Sequence, residues 1–240
     1  MLDTGCRVPL CHACITLLEQ RLPDTTCARC GRPGILVSVA ANHGPPLCQL
    51  CRRGIYDFDI ARSFGAYTPA MARAILLLKY SNVTPLGKFF AEGLATLVRR
   101  SLADFGVDVL VPVPLHPNRL RERGYNQAEV IGRPLARLLD MPYRSYLLVR
   151  KKARPDKLRL TRRERWETVR GAFATQRGAP VDNLRVLLVD DVFTTGATLD
   201  ACSRALRGAG AARVVGLTVA RALVHSPFSD ATLPPLELDA

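Results

Sequence analysis

Hydrophobic residues fall into two kinds of pattern along these 240 residues. Three short runs, 107–113 (VDVLVPV), 184–189 (LRVLLV) and 213–220 (RVVGLTVA), are almost continuously apolar and rich in Val and Leu. Strands covered on both faces of a parallel sheet read this way, because neither side of the pleat meets water. Stretch 57–67 (DFDIARSFGAY) alternates instead and predicts a further strand. Between the strands, apolar positions recur every three or four residues. Segment 69–80 (PAMARAILLLKY) starts on Pro and puts Met71, Ile75, Leu76 and Leu78 on its apolar face; 86–102, 128–139 and the stretch from Leu199 to Leu206 are periodic in the same way. Gly208-Ala209-Gly210 stops the last of these helices. Strands alternating with helices predict an α/β fold with a mostly parallel sheet flanked by helices. Pro112 and Pro114 place the end of run 107–113 at a sheet margin or a sharp turn. Beyond it, 115–127 (LHPNRLRERGYNQ) reads as a cation-dense loop, and the last fifteen residues, with Pro227, Pro234 and Pro235, read as a tail.

The N-terminus breaks this pattern. Seven of the eight cysteines lie in the first 51 residues, six of them as the pairs Cys11/Cys14, Cys27/Cys30 and Cys48/Cys51. Seventeen residues separate Cys30 from Cys48, which matches the ribbon spacing C-x₂-C-x₁₅₋₂₀-C-x₂-C. Four thiolates on Cys27, Cys30, Cys48 and Cys51 suit one tetrahedral structural Zn²⁺. A disulfide framework is the alternative, and a reducing compartment argues against it. Cys11 and Cys14 have only Cys6 left as a partner, so they form an incomplete second site or reflect a start upstream of Met1. Because so small a module folds only with its metal, the chain divides into a zinc-ribbon module, 1–54, and an α/β domain, 55–240.

Charge adds a partner. Lys and Arg outnumber Asp and Glu by 34 to 21, giving +13 and a pI near 9.9, the footprint of a polyanion binder. Segment 150–170 (RKKARPDKLRLTRRERWETVR) holds ten basic residues against three acidic ones. Lys151, Lys152, Arg162 and Arg163 are its candidate nucleic-acid contacts. Trp166, the single tryptophan, reads first as an anchor for this segment and alternatively as a stacking surface for a base. No run approaches ~18 uninterrupted apolar residues and no charged-then-apolar leader is visible, so a cytoplasmic protein is expected.

The chemistry concentrates after run 184–189. That run ends in Asp190 and Asp191, followed by Val192, Phe193 and the turn Thr194-Thr195-Gly196-Ala197-Thr198. In open α/β sheets, ligands bind where strands end. N–H groups at a helix start, a glycine that admits a close approach, and three Thr hydroxyls make a cradle for a phosphate. Two carboxylates just before it suit sugar hydroxyls or a Mg²⁺ on a second phosphate group, so the pattern points to a phosphorylated sugar. Helix N-capping is the alternative for each residue taken singly. Arg119, Arg121 and Arg123 in the cation-dense loop suit a pyrophosphate, since guanidinium forks match phosphate oxygens; a solvated basic loop is the alternative. Neither GxxxxGK[ST] nor GxGxxG is present.

VLLVDDVFTTGAT resembles the 5-phosphoribosyl 1-pyrophosphate (PRPP) motif of type I phosphoribosyltransferases. The resemblance implies that Asp190 and Asp191 take the ribose hydroxyls and that Thr194, Thr195, Gly196, Ala197 and Thr198 take the 5′-phosphate, with Mg²⁺ accompanying PRPP. Together with VPVPLHPNRLRERGYNQA, LLLKYSN around Lys79, VRGAF and the cysteine pairs, it extends to the ComF family, in order, from Cys11 to Arg221. That family joins a zinc ribbon to a type I phosphoribosyltransferase-like domain and is associated with DNA uptake in natural transformation. The resemblance therefore implies PRPP, single-stranded DNA and other DNA-uptake proteins as partners, with Lys79, Arg119, Arg121 and Arg123 as pyrophosphate candidates. Lys157 and Thr168 stand where the family usually has Gln and Asn. An active transferase moving ribose 5-phosphate to a base or amine is the alternative function. No general base is evident for it, because Thr194 fills the slot where purine-salvage relatives carry an Asp.

Overall fold

The computed structural model describes residues 10–19, 22–23, 25–34, 45–102, 106–153 and 161–223. Cys6, Lys157 and the expected tail lie outside the described residues, as does the side chain of Arg162. Six strands are found among the described residues: β1 (Ile60–Ala66), β2 (Val109–Pro112), β3 (Leu148–Arg150), β4 (Phe173–Thr175), β5 (Arg185–Phe193) and β6 (Arg213–Arg221). Four of them form a parallel sheet in the order β1-β6-β5-β2, and β3 pairs with β4 in a separate antiparallel ribbon. The helices are α1 (His12–Leu18), α2 (Gln49–Arg52), α3 (Pro69–Tyr80), α4 (Pro85–Ser101), α5 (Pro117–Arg123), α6 (Gln127–Leu138), α7 (Arg162–Val169) and α8 (Ala197–Gly208).

Alternate side chains of the sheet sort to its two faces. Ile60, Leu110, Leu187, Val189, Val215 and Leu217 pack with Ile75 and Leu78 of α3, Phe90 and Leu94 of α4, and Ile131 and Leu135 of α6. Val109, Val111, Val186, Leu188 and Val214 pack with Leu199, Cys202 and Leu206 of α8 and with Leu148 and Phe173 of the ribbon. Burial on both faces is why these runs carry no polar alternation. Cys202 is fully buried in the second layer, as a small apolar residue would be. The outer edge of β1 is covered by the cysteine segment: the Ala61 N–H donates to the Arg29 carbonyl at 2.7 Å, and Arg62 Nη2 donates to the Ala28 carbonyl at 2.8 Å. An edge so paired cannot recruit a foreign strand.

Two segments differ from the expectation. The cation-dense loop contains α5, which begins where His116 Nδ1 accepts the Asn118 N–H and ends at Gly124 with φ 80°. None of its residues is buried, so there is no apolar periodicity for a pattern to register. The basic segment likewise contains α7, started by a capping box between Thr161 and Glu164, and the three-residue strands β3 and β4 are too short to show alternation.

Helices α4 and α6 meet at a glycine. Pro134 lies inside α6 and has no N–H, so the Val130 carbonyl four residues earlier lacks its intrahelical donor. A methyl group on Gly87 of α4 would stand 2.5 Å from Val130 Cγ1 and 2.7 Å from that carbonyl oxygen. Gly87→Ala should therefore destabilise the protein by about 1–3 kcal/mol, the overpacking penalty exceeding the gain in helix propensity. The urea midpoint should fall with an unchanged m-value; an unshifted midpoint would show that the two helices separate at no cost.

Candidate functional site

The acid pair lies inside β5, which runs on to Phe193. The last residue of β2, Pro112, is opposite Val189. Asp190 and Asp191 therefore lie one and two residues beyond the end of β2 on that side, while Asp190 keeps Thr218 of β6 opposite it on the other. Both are nearly buried, at 8% and 6% exposure. Asp191 Oδ2 forms an ion pair at 2.8 Å with Lys79 Nζ, delivered by the last turn of α3. The Asp191 N–H donates to Asp190 Oδ1 at 2.9 Å. Burial, and then the charge of Asp191, push the Asp190 carboxyl up to about 7, against the weaker pull of that N–H and of Lys79. Burial also opposes the charge on Lys79, but the neighbouring carboxylates outweigh it and hold the ammonium above its ordinary value.

The turn after β5 leads into α8. Gly196 precedes Ala197 with φ 83°, and a Cβ there would stand 2.6 Å from Phe193 Cζ and 2.8 Å from Tyr56 Cε1. Glycine is thus required by a left-handed backbone and by two aromatic rings pressed against the turn. Tyr56 Oη donates to the Thr195 carbonyl at 3.0 Å, and Thr195 Oγ1 accepts the Ala197 N–H at 3.3 Å. The N–H groups of a first helical turn have no intrahelical acceptor, so the start of α8 at the C-terminal end of β5 favours an anion. Asp200, in that first turn and 2% exposed, accepts the Asp57 N–H at 2.7 Å, tying the entry to β1 onto α8.

Lys79, Tyr80, Arg119, Arg123 and Tyr125 are among the residues around a cavity of about 600 Å³. Arg119 pairs with Glu122 at 3.0 Å, also in the cavity wall. Arg123 lies over the Tyr80 ring, 5.0 Å from its centroid, and donates to Gln127. Arg121 is exposed, donates to Asn118 at 2.8 Å, and is absent from the cavity wall. Of the four pyrophosphate candidates, three share one cavity. In the basic segment Lys151 is exposed, Lys152 Nζ donates to the Arg170 carbonyl at 3.1 Å, and Arg163 pairs with Glu167 at 2.9 Å. Trp166 packs 5.9 Å from Tyr56 in the second core layer, so it anchors α7.

The sulfurs of Cys27, Cys30, Cys48 and Cys51 lie within 4.8 Å of one another, and all four residues are buried. Arg221, opposite Phe193 at the end of β6, is 4% exposed. Its Nη2 donates to Cys30 Sγ at 3.5 Å, its guanidinium carbon lies 3.9 Å from the Phe193 centroid, and its Nη1 has no hydrogen-bond partner among the described residues. A buried guanidinium needs a counter-charge. Four neutral thiols supply none, whereas four thiolates around a divalent ion carry two net negative charges. The donor set and its neighbour therefore fit a metal ion. Cys11 and Cys14 lie exposed at α1, 3.4 Å apart, and among the described residues no further ligand joins them. Tyr56, Asp200 and Arg221 escaped sequence reasoning, since none stands in a chemical motif.

The sequence matches the family model described as Phosphoribosyl transferase domain over residues 126–228. With its parallel sheet and strand-end acid pair, the larger part of the chain is an α/β domain of the type I phosphoribosyltransferase kind. The DNA utilization protein YhgH of Salmonella typhi is 30% identical over 219 residues, 87% of this chain and 92% of that protein. Competence protein F of Haemophilus influenzae is 30% identical over 199 residues, covering 80% and 84% of the two chains. Competence protein ComFC of Bacillus subtilis is 29% identical over 216 residues, covering 88% and 84%. The chain belongs to the ComF family. Among the described residues no helix is long and apolar enough to cross a membrane.

Reduced, freshly purified protein should carry one equivalent of metal per chain by elemental analysis, and Cys48→Ser should lower it well below one. A parent protein that contains no metal would contradict the charge argument built on Arg221.

Proposed function

We propose that this chain binds PRPP and acts on single-stranded DNA during DNA uptake. The observation that carries the first half is the buried acid pair running into a glycine turn and helix start at the strand ends. In this reading Asp190 and Asp191 accept the ribose hydroxyls, and Thr194, Thr195, Gly196, Ala197 and Thr198 surround the 5′-phosphate. Lys79, Arg119 and Arg123 face the pyrophosphate from the cavity beside Asp191, and Arg121 adds charge outside it. Mg²⁺ bound with PRPP would neutralise part of the diphosphate charge. Four buried sulfurs within 4.8 Å of one another suit Zn²⁺, which takes four thiolates tetrahedrally, in a module ending near Gly54 ahead of a transferase-like domain from residue 55. The compartment that keeps such thiols reduced is the cytoplasm.

The second half rests on charge and on relatives. Proteins whose names refer to DNA utilization and competence share most of their length with this chain, and a net +13 with a dense basic segment suits a phosphate backbone. Other DNA-uptake proteins are the corresponding protein partners. Binding is favoured over phosphoribosyl transfer because, among the described residues, two positions where a base would be expected offer none: Thr194 cannot take a proton near neutrality, and Glu122 in the cavity is engaged by Arg119.

PRPP affinity carries a pH signature. Asp190 holds a proton up to about pH 7, and an accepting carboxylate must release it, so affinity should rise with pH, by at most about tenfold per unit, and level off above 7. Calorimetry on the parent and on Asp190→Asn isolates this component, because titration of the PRPP phosphates is common to both. The double change Asp190→Ala, Asp191→Ala should abolish binding, each charge-assisted bond being worth about 1.5–3 kcal/mol. Retained affinity in the double variant would refute the site.

DNA binding should weaken steeply with salt and show no sequence preference. Replacing Lys151, Lys152, Arg162 and Arg163 by Ala should flatten the log–log salt slope for an oligothymidine by roughly 1–3 while PRPP affinity is kept. A collapse of PRPP affinity in the same variant would instead make this segment part of the pyrophosphate site, and no association at about 50 mM salt would remove nucleic acid from the reading.

A further inference from the structure

We propose that the cysteine-held metal positions the phosphate turn, so that metal and PRPP bind cooperatively, with Arg221, Phe193 and Tyr56 as the positioning residues between them. The proposal rests on the PRPP reading above and adds to it a role for the metal that lies beyond folding its own module.

Two routes of direct contact join the cluster to the turn. The first is a charge and a ring. Arg221 reaches Cys30 Sγ at 3.5 Å with one nitrogen and lies flat on Phe193, 3.9 Å from the ring centroid. Phe193 in turn occupies the space where a side chain on Gly196 would begin, 2.6 Å from that Cβ position. A metal on Cys30 fixes the sulfur that Arg221 reaches, and with it the guanidinium that lies on Phe193; loss of the metal frees that sulfur, so Phe193 loses the fixed group stacked on it.

The second route is backbone. Arg29 sits within the first knuckle, between Cys27 and Cys30, and donates to the Tyr56 carbonyl at 2.5 Å and to the Phe58 carbonyl at 2.9 and 3.0 Å. Tyr56 stacks on Phe58 at 4.6 Å and holds the Thr195 carbonyl through its hydroxyl at 3.0 Å. The next residue, Asp57, is fixed to the first turn of α8 through Asp200 at 2.7 Å. A knuckle that loosens therefore frees the segment that holds both sides of the turn. Between packed groups such coupling is reciprocal: whatever the metal adds to PRPP affinity, PRPP adds to metal affinity.

The test uses the full chain, reduced and metal-loaded, and follows transfer of the metal to a chromogenic chelator with and without saturating PRPP, alongside PRPP calorimetry. PRPP should slow metal transfer about fivefold or more. Tyr56→Phe removes only the hydroxyl; it should keep the metal and the melting profile, weaken PRPP by roughly two- to tenfold, and reduce the protection. Arg221→Gln should reduce the protection further, with Arg221→Lys restoring part of it, and Tyr56→Phe remains informative if the Arg221 variants do not fold. If PRPP binds the loaded protein but leaves metal transfer unchanged, the coupling is overturned and the PRPP site stands. If the loaded protein does not bind PRPP, the functional reading falls and this proposal falls with it.

Discussion

Two adjacent carboxylates at the buried end of one strand are the constraint on which the site depends. Burial and the neighbouring Asp191 both oppose a charge on Asp190, and the protein supplies a cation to only one of the pair: Lys79, at the end of α3, pairs with Asp191 at 2.8 Å. The other keeps its proton up to about pH 7. That division of roles requires α3 to pack along the sheet so that its last turn reaches the end of β5, which Ile75 and Leu78 achieve by burial in the first core layer. Packing on one face of the sheet thereby sets the charge state at its edge.

The opposite face solves a second charge problem. Arg221 ends a strand whose other residues are almost all apolar, and it is buried with one nitrogen lacking a partner. Its place makes sense beside four cysteine sulfurs and on the face of Phe193. Because β5 and β6 are neighbours in register, with Phe193 opposite Arg221, the end of β5 and the cysteine cluster share this one cation. The cysteine segment is joined to the sheet by backbone bonds along β1 and by the aromatic group of Tyr56, Phe58 and Phe193, and so forms part of the wall behind the turn.

The cations themselves separate into two sets. Lys79, Arg119 and Arg123 are gathered at one cavity by the C-terminal end of α3 and by α5. Lys151 and Arg163 stand exposed, next to β3 in sequence and on α7 respectively, with α7 fastened to the second core layer through Trp166. The two sets differ in exposure: the Lys79 side chain is 20% exposed and paired with Asp191, whereas that of Arg163 is 90% exposed, where salt screens a charge most.

Much was legible from local pattern alone. The helix at Pro69–Tyr80, the sheet strands at 107–113, 184–189 and 213–220, the acid pair with its turn, and the four cysteines all announce themselves, because burial on both faces, metal spacing and phosphate chemistry each leave a mark within a few consecutive residues. Helices α5 and α7 did not: α5 buries nothing and α7 is held by a cap, Trp166 and Val169 at its last position, so neither writes an apolar period. Only the tertiary structure decided that Lys79 pairs with Asp191, that Gly196 is required by the rings of Tyr56 and Phe193, and that Arg221 reaches both Cys30 and the Phe193 ring. The last two rest on contacts between residues 139 and 191 positions apart in the chain, and a contact at that separation is made by the packing of strands against one another, which no stretch of neighbouring residues records.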